Sequence, residues 1–351
     1  MQIPMSRLTL IGSLRPEHHA EKYRSESHVD GTFMAGASLR SQVLQCSLSR
    51  TVNPFLRFWA HFPDLPWPAG AVDSLARTIP PPRHTTRRAV RLENCRAELL
   101  AAAEVGCAAG ADRVLLYLHG GGFVVCGPHT HRDLVARVSA AADAPALIVD
   151  YRMLPKHTIA DAVADGVDGY RWLLDEGWAP EQIVVCGDSA GGFLTFAVAV
   201  SIRDAGLPLP AGLAAMSPLI EVDPTRKLAH RNADRCAVIP AQAMVALSNR
   251  LVREEGTPVP TPADADLRGM PPTLIQIGSR EFLLPDAELM AQRLTDAGGS
   301  CELQVWQGQV HVFQAAAGII PEARLAIAAL GEFIRKVTWA DPVVRSGQRG
   351  A

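Results

Sequence analysis

The sequence predicts an α/β fold: a mostly parallel central sheet flanked by helices, with a helical cap at the N-terminal side. Three observations lead there. Short, wholly apolar runs such as Val114-Leu115-Leu116-Tyr117-Leu118 and Ala146-Leu147-Ile148-Val149 are the signature of strands covered on both faces. Between them lie longer stretches whose apolar residues recur at helical spacing. The two kinds of segment alternate along most of the chain, the order that builds parallel sheets through crossover helices.

Length and composition permit this and narrow the function classes. The 351 residues, 48% of them apolar, can bury one large α/β core with an added lid. Lysine and arginine number 34 against 36 acidic residues, so a net charge of −2 gives no global electrostatic reason to expect nucleic acid or an anionic membrane as partner. The basic stretch Arg83–Arg96 reads as a solvated face. Seven cysteines show no paired spacing and their odd number leaves a thiol free in any disulfide scheme, which fits a reducing compartment. Cys126, His129 and His131 lie close in sequence, but no second ligand cluster follows at zinc spacing, so no metal is expected. No signal-peptide pattern opens the chain and no run reaches the roughly 18 apolar residues of a membrane span. A cytoplasmic protein is the expectation, with peripheral association at a surface left open.

Taken in order, residues 1–35 are polar and without periodicity, a candidate for disorder. Residues 36–84 form the expected cap: Leu39, Val43, Leu44 and Leu48 recur at helical spacing, Phe55, Leu56, Phe58 and Trp59 follow Pro54, and a proline-rich break ends the segment. The main domain is expected over 85–338. It opens with a strand pair within Ala89–Leu100 and the strand Val114–Leu118. A helix over 130–142, the strand Ala146–Tyr151, a helix over 160–176, the strand from Ile183, a helix to Ala205 and the strand Gly212–Ser217 follow. Between 218 and 269 the alternation lapses into one helix, 240–254, and a Pro/Asp-rich loop, an insertion placed to contribute to a lid. The core resumes with Thr273–Gly278, a helix over 286–297, the strand Glu302–Trp306 and a last helix over 321–337; residues 339–351 are a tail.

The chemistry centres on Gly187-Asp188-Ser189-Ala190-Gly191, at the junction of a β-branched run and an apolar helix. A serine held in a sparsely populated backbone conformation leaves no room for side chains two residues before and after it, and the two glycines give that room. The same turn puts Ser189 at a helix start, where the N–H of Ala190 points at any oxyanion formed beside it. A serine hydroxyl needs a base, and the base an orienting carboxylate. In this strand-turn-helix arrangement they follow in the order serine, acid, histidine. Of the two later histidines, His230 sits among Arg226, Lys227 and Arg231, a solvated setting. His311 lies on a loop just past the strand ending at Trp306, where the base belongs. The acid should follow the strand ending at Gly278, which leaves Glu281, the first choice, and Asp286, which would also suit the first turn of the next helix. Upstream, Gly120-Gly121-Gly122 after a buried strand lets backbone N–H groups approach a ligand, making Gly121 and Gly122 further oxyanion donors. Phe123 and Phe193 flank these donors as candidate walls of an apolar acyl pocket, although Phe193 could equally pack under the sheet. His119 and Asp188 fall outside the triad order and are expected to fix the loop by hydrogen bonding; His157 is expected to be structural.

Together, His119-Gly120-Gly121-Gly122-Phe123, Asp150-Tyr151-Arg152, Gly187-Asp188-Ser189-Ala190-Gly191-Gly192, Asp266–Pro272 and Val310-His311-Val312-Phe313 resemble the hormone-sensitive lipase family of bacterial esterases, also called family IV, over residues 85–338. The resemblance implies an α/β-hydrolase fold, Ser189 as nucleophile, His311 as base, Gly121, Gly122 and Ala190 as oxyanion donors, and N-terminal helices as a cap. Two departures stand out. Glu281-Phe282-Leu283 replaces the usual Asp-Pro-Leu, which one branch of the family shares, and Met153-Leu154-Pro155-Lys156-His157-Thr158 replaces Leu-Ala-Pro-Glu-His-Pro.

The function expected is a cofactor-free serine carboxylesterase acting on small-molecule esters of short to medium acyl chains through an acyl-enzyme. An amidase or arylformamidase on the same triad is the alternative, and a non-catalytic ligand-binding protein on this fold a more distant one. A trypsin-like protease is excluded, because no histidine and aspartate precede the serine in an all-β pattern. A homodimer through the final strand edge is expected by family analogy alone.

Overall fold

In the computed structural model, residues 32–34, 36–65, 67–78, 84–102, 105, 111–256 and 259–338 are described. The chain enters at β1 (Thr32–Met34) and crosses three cap helices, α1 (Leu39–Arg50), α2 (Val52–His61) and α3 (Ala69–Ala76). The sheet is then built by β2 (Thr85–Arg91), β3 (Arg96–Ala102), β4 (Val114–Leu118), β5 (Ala146–Asp150), β6 (Ile183–Asp188), β7 (Gly212–Met216), β8 (Thr273–Gly278) and β9 (Cys301–Trp306). Helices α4 (Pro128–Ala142), α5 (Ile159–Asp175), α6 (Ala190–Asp204), α9 (Leu284–Asp296) and α10 (Pro321–Val337) connect and flank these strands. The insertion holds α7 (Thr225–Ala229) and α8 (Ala241–Glu255).

The strand order is β1-β9-β8-β7-β6-β4-β5-β3-β2. Among the described residues β2/β3 and β3/β5 pair antiparallel and the other pairings are parallel. The apolar runs are continuous because both faces are covered, and alternate side chains serve different cores. On β4, Val114, Leu116 and Leu118 point into one and Leu115 and Tyr117 into the other; on β6, Ile183 and Val185 oppose Val184 and Cys186. α5, α6 and α9 close the first face, through Tyr170, Ile202 and Met290 among others, and α4 and α10 the second, through Val138 and Leu330. Each such side chain contributes about 1.5–3 kcal/mol by leaving water. The central strand β4, with every residue at 0% exposure, is thereby fixed in register, and the residues at its end inherit that rigidity.

Local chemistry sets element ends that periodicity misses. α5 starts at Ile159, one residue early, because Thr158 accepts from Asp161 N at 3.1 Å while Asp161 Oδ2 accepts from Thr158 N at 2.9 Å. α4 starts at Pro128, since proline suits a first helical position where no N–H is required.

Three findings concern the chain ends and the cap. The expected tail does not run to residue 35: Thr32–Met34 pair in parallel with Gln304–Trp306, so β1 occupies the outer edge of β9. Three residues are too few to show a strand period, and this pairing covers the edge through which a dimer was expected. The rest of that tail, 1–31 and 35, and the tail 339–351 lie outside the described residues. Secondly, two distant segments pack together, for α8 of the insertion lies on α2, with Arg57 donating to Gln242 at 3.2 Å and Asn53 to the Cys236 carbonyl at 3.1 Å. Thirdly, the cap helices keep apolar surface exposed, Phe55 and Phe58 at 55% each. Among the described residues no helix is long and apolar enough to cross a membrane.

Candidate active site

Ser189 stands at the C-terminal end of β6, near the centre of the sheet, with φ 53° and ψ −117°. The conformation survives because the residues two before and two after it lack side chains. A Cβ on Gly187 would lie 2.3 Å from the Gly191 carbonyl oxygen, and one on Gly191 would lie 1.9 Å from that of Leu118. Ser189 N–H is held by the Met216 carbonyl at 2.9 Å, and its own carbonyl accepts from Leu219 at 2.9 Å, so strand and insertion both fix the turn.

His311 reaches Ser189 from the loop after β9, its Nε2 lying 3.0 Å from Oγ. Its Nδ1 lies 2.8 Å from Glu281 Oε2. The imidazole therefore donates from Nδ1 to the carboxylate and presents Nε2 to the serine hydroxyl, the tautomer a general base requires. Glu281 is fully buried, and its other oxygen, Oε1, accepts from Ser217 Oγ at 2.8 Å and Gly278 N at 2.6 Å. Ser217 was not singled out from sequence. Its hydroxyl also accepts from Val312 N at 3.0 Å, so one small side chain ties Glu281 to the backbone beside His311. The available signal was its place, the first residue after the core strand β7 and just before Pro218.

Asp286, the alternative acid, is turned elsewhere. It is fully buried and accepts from Lys227 Nζ at 2.8 Å, Ile220 N at 2.7 Å and Glu221 N at 3.1 Å. Burial pushes its carboxyl above the ordinary value despite these three donors. Lys227, itself at 0% exposure, is thus pinned to α9, and with it the start of the insertion.

The glycine loop follows β4, the strand paired with the β6 that ends at the serine turn. Gly121 and Gly122 have φ values of 119° and 62°, and Phe123 follows at 63°. Ala190 opens α6, so its N–H is one of those with no acceptor within the helix. The loop is held by Asp188, whose Oδ1 accepts from Gly120 N at 3.1 Å and from Tyr117 Oη at 2.8 Å, while His131 Nε2 lies 3.4 Å from Oδ2. Burial would raise the Asp188 carboxyl, but His131 and Tyr117 hold it below the usual range. His119 stacks on Tyr151 with centroids 4.2 Å apart, and its Nδ1 donates to the Gly120 carbonyl at 2.8 Å. Its buried Nε2 has no hydrogen-bond partner among the described residues, and burial lowers its pKa to about 4. His119 and Asp188 thus brace the loop from beneath. His129 pairs with Asp73 of α3 at 2.5 Å, which docks the cap on α4. His157 is partly exposed, 3.9 Å from Asp161. Leu247 of α8 covers Gly122, 3.1 Å from where a Cβ would begin. Phe123 and Phe193 meet edge to face at 5.5 Å and are buried, at 0% and 2% exposure.

A parallel sheet crossed by helices, with serine, histidine and carboxylate converging at the strand ends, defines a hydrolase of the α/β-hydrolase fold. The comparisons agree. A family model for the alpha/beta hydrolase fold matches residues 115–315. Esterase LipU of Mycobacterium tuberculosis is 43% identical over 295 residues, 82% of this chain and 99% of the relative. The carboxylesterase/phospholipase LipF of the same organism is 39% identical over 312 residues, 87% of this chain and 83% of the relative. The crystal structure of an esterase from the bacterial hormone-sensitive lipase family aligns with a TM-score of 0.75 at 32% identity, covering 87% of this chain and 100% of that one. The chain belongs to the alpha/beta hydrolase fold family, in its hormone-sensitive lipase branch, and is a carboxylic ester hydrolase.

Proposed function

We propose that the protein is a serine carboxylesterase that hydrolyses small-molecule esters of short- to medium-chain acids through an acyl-enzyme on Ser189. The observation that carries this reading is the continuous chain Ser189–His311–Glu281, at 3.0 and 2.8 Å, with the histidine in the base tautomer. All three residues come from one chain, so the reading requires no second copy.

Ser189 Oγ attacks the ester carbonyl carbon while His311 Nε2 takes its proton. The carbonyl oxygen becomes an oxyanion and is met by the N–H groups of Gly121, Gly122 and Ala190, each worth about 2.7–4 kcal/mol in comparable sites. His311, now a cation, is stabilised by buried Glu281 and gives its proton to the leaving alcohol as the C–O bond breaks. Water then enters, loses a proton to His311 and attacks the acyl carbon; collapse releases the acid and returns the proton to Ser189. No cofactor takes part in these steps. A cytoplasmic location belongs to the same reading, supported by free thiols at Cys95, Cys186 and Cys236 in the core.

The test is hydrolysis of a p-nitrophenyl ester series from acetate to decanoate, with Ser189→Ala as control. Turnover that disappears in the variant is expected. Equal turnover in the variant, or none in the native enzyme across the series, would refute the reading.

A further inference from the structure

A cavity of about 710 Å³ lies between α5 and α6, beyond the aromatic pair beside the catalytic serine. This is within the 300–1,000 Å³ range of small-molecule sites. The sequence makes the hollow by placing small or branched apolar residues on the facing stripes of two helices. Val163 and Val167 of α5 oppose Ala197 and Val200 of α6, and Val259 and Pro262, after α8, roof the space. The spacing is i, i+4 on one wall and i, i+3 on the other, so each helix turns one continuous face to the cavity.

Its charged groups stand at the margins, and Ser201 and Thr261 are the hydroxyl-bearing residues of its lining. Asp168 and Arg171 follow Val167 along α5, at the end away from the catalytic turn, and Glu255 is engaged with Ile159 N–H at the start of α5. Charges at the margins and methyl groups between them suit an unbranched hydrocarbon chain and disfavour a charged or sugar-like ligand.

Two connections join the cavity to the catalytic turn. Phe193 lines it and stands one helical turn after Ser189, with its ring edge to face on Phe123, which follows Gly122. Helix α8 covers Gly122 with Leu247 and reaches the cavity with Glu255, a span of about 12 Å at 1.5 Å per residue. The aromatic pair thus stands between the glycine loop and the groove, and α8 passes over the loop at Leu247 and reaches the groove at Glu255.

We propose that this groove is the subsite for the distal methylenes of a medium-chain acyl group, with the Phe123–Phe193 pair as its threshold. The proposal rests on Ser189 being the residue that is acylated. It assigns chain-length selection to α5, α6 and the segment after α8, and makes Phe193 the residue that separates short from longer acyl chains.

The experiment has two arms. The first measures kcat/KM on p-nitrophenyl acetate and decanoate for the native enzyme, Phe193→Ala and Ala164→Phe, the last filling the groove from its partly open α5 wall. Ala164→Phe is expected to lower the decanoate-to-acetate ratio by at least about tenfold, and Phe193→Ala to raise it, opposite effects that general destabilisation cannot produce. The second measures decanoate binding by calorimetry to Ser189→Ala protein, with and without Ala164→Phe; the added ring is expected to weaken it by about tenfold or more. An unchanged ratio and unchanged binding in the Ala164→Phe proteins would overturn the groove even if every ester is turned over. Binding that responds to Ala164→Phe in a protein without Ser189-dependent turnover would show that the groove holds an alkyl chain and would overturn its role as the acyl subsite of Ser189.

Discussion

The two buried carboxylates after β8 make opposite predictions under amide substitution. Glu281→Gln keeps an oxygen for Ser217 and Gly278 but removes the charge facing His311 at 2.8 Å. The imidazolium formed during attack then lacks its counter-ion, and the amide can hold the ring in the wrong tautomer. A comparable carboxylate-to-amide change in a serine protease triad lowers kcat by about 10⁴, or about 5 kcal/mol in the barrier. Asp286→Asn touches none of the reacting groups. It leaves Lys227, at 0% exposure, without its carboxylate, and breaking a buried pair from one side costs about 3–5 kcal/mol. The Glu221 and Asp223 carbonyls, at 2.7 and 3.1 Å from Nζ, remain, which puts the cost near the lower end, about 3 kcal/mol. At about 2.1 cal/mol/K of unfolding entropy per residue, that lowers Tm by about 4–6 °C in a protein of this size. The assay pairs steady-state kinetics on p-nitrophenyl butyrate with thermal unfolding of both variants. Glu281→Gln should lose activity at nearly native Tm, and Asp286→Asn should lose Tm at nearly native kcat. A collapse of kcat in Asp286→Asn alone, with unchanged Tm, would refute the assignment of the acid.

Two further outcomes follow from the same geometry. Ser217→Ala removes a charge-assisted hydrogen bond to Glu281 and strands the Val312 N–H; a loss of about 1.5–3 kcal/mol expressed in the barrier predicts kcat lower by about 10- to 150-fold with KM little changed, and a native kcat would refute the role. Buried His119, lowered from 6.5 to about 4, takes up a proton in the unfolded chain before it does in the folded one, so stability falls as pH drops from about 6.5 to about 4, by up to about 3 kcal/mol. Urea unfolding at the two pH values should show a smaller acid loss in His119→Asn than in the native protein; an equal loss in both would remove His119 as the cause.

Much of this arrangement was legible in the sequence because it is written in local terms. The strand runs, the glycine spacing around Ser189 and the order of Glu281 and His311 after later strands each depend on a few neighbouring residues and on steric rules. What stayed hidden is set by partners distant in the chain. Ser217 looks like any strand-end serine until β7 lies beside β8 and its hydroxyl meets Glu281. Asp286 looks like a helix-start acid until Lys227, 59 residues away, is packed against it. Thr32–Met34 look like tail until Gln304–Trp306 offer an edge.

The sequence by itself determined the fold class, the place of the serine turn and the residues able to serve as base and acid, since strand burial, helix period and the room left by glycine are properties of short segments. Tertiary structure alone decided which carboxylate faces His311, that Leu247 of α8 covers Gly122, and that small residues on α5 and α6 enclose an apolar hollow. The physical reason is one of range. Backbone conformation responds to the nearest few residues, whereas a buried charge takes the partner that packing brings to it, and a cavity is the space that facing side chains leave unfilled.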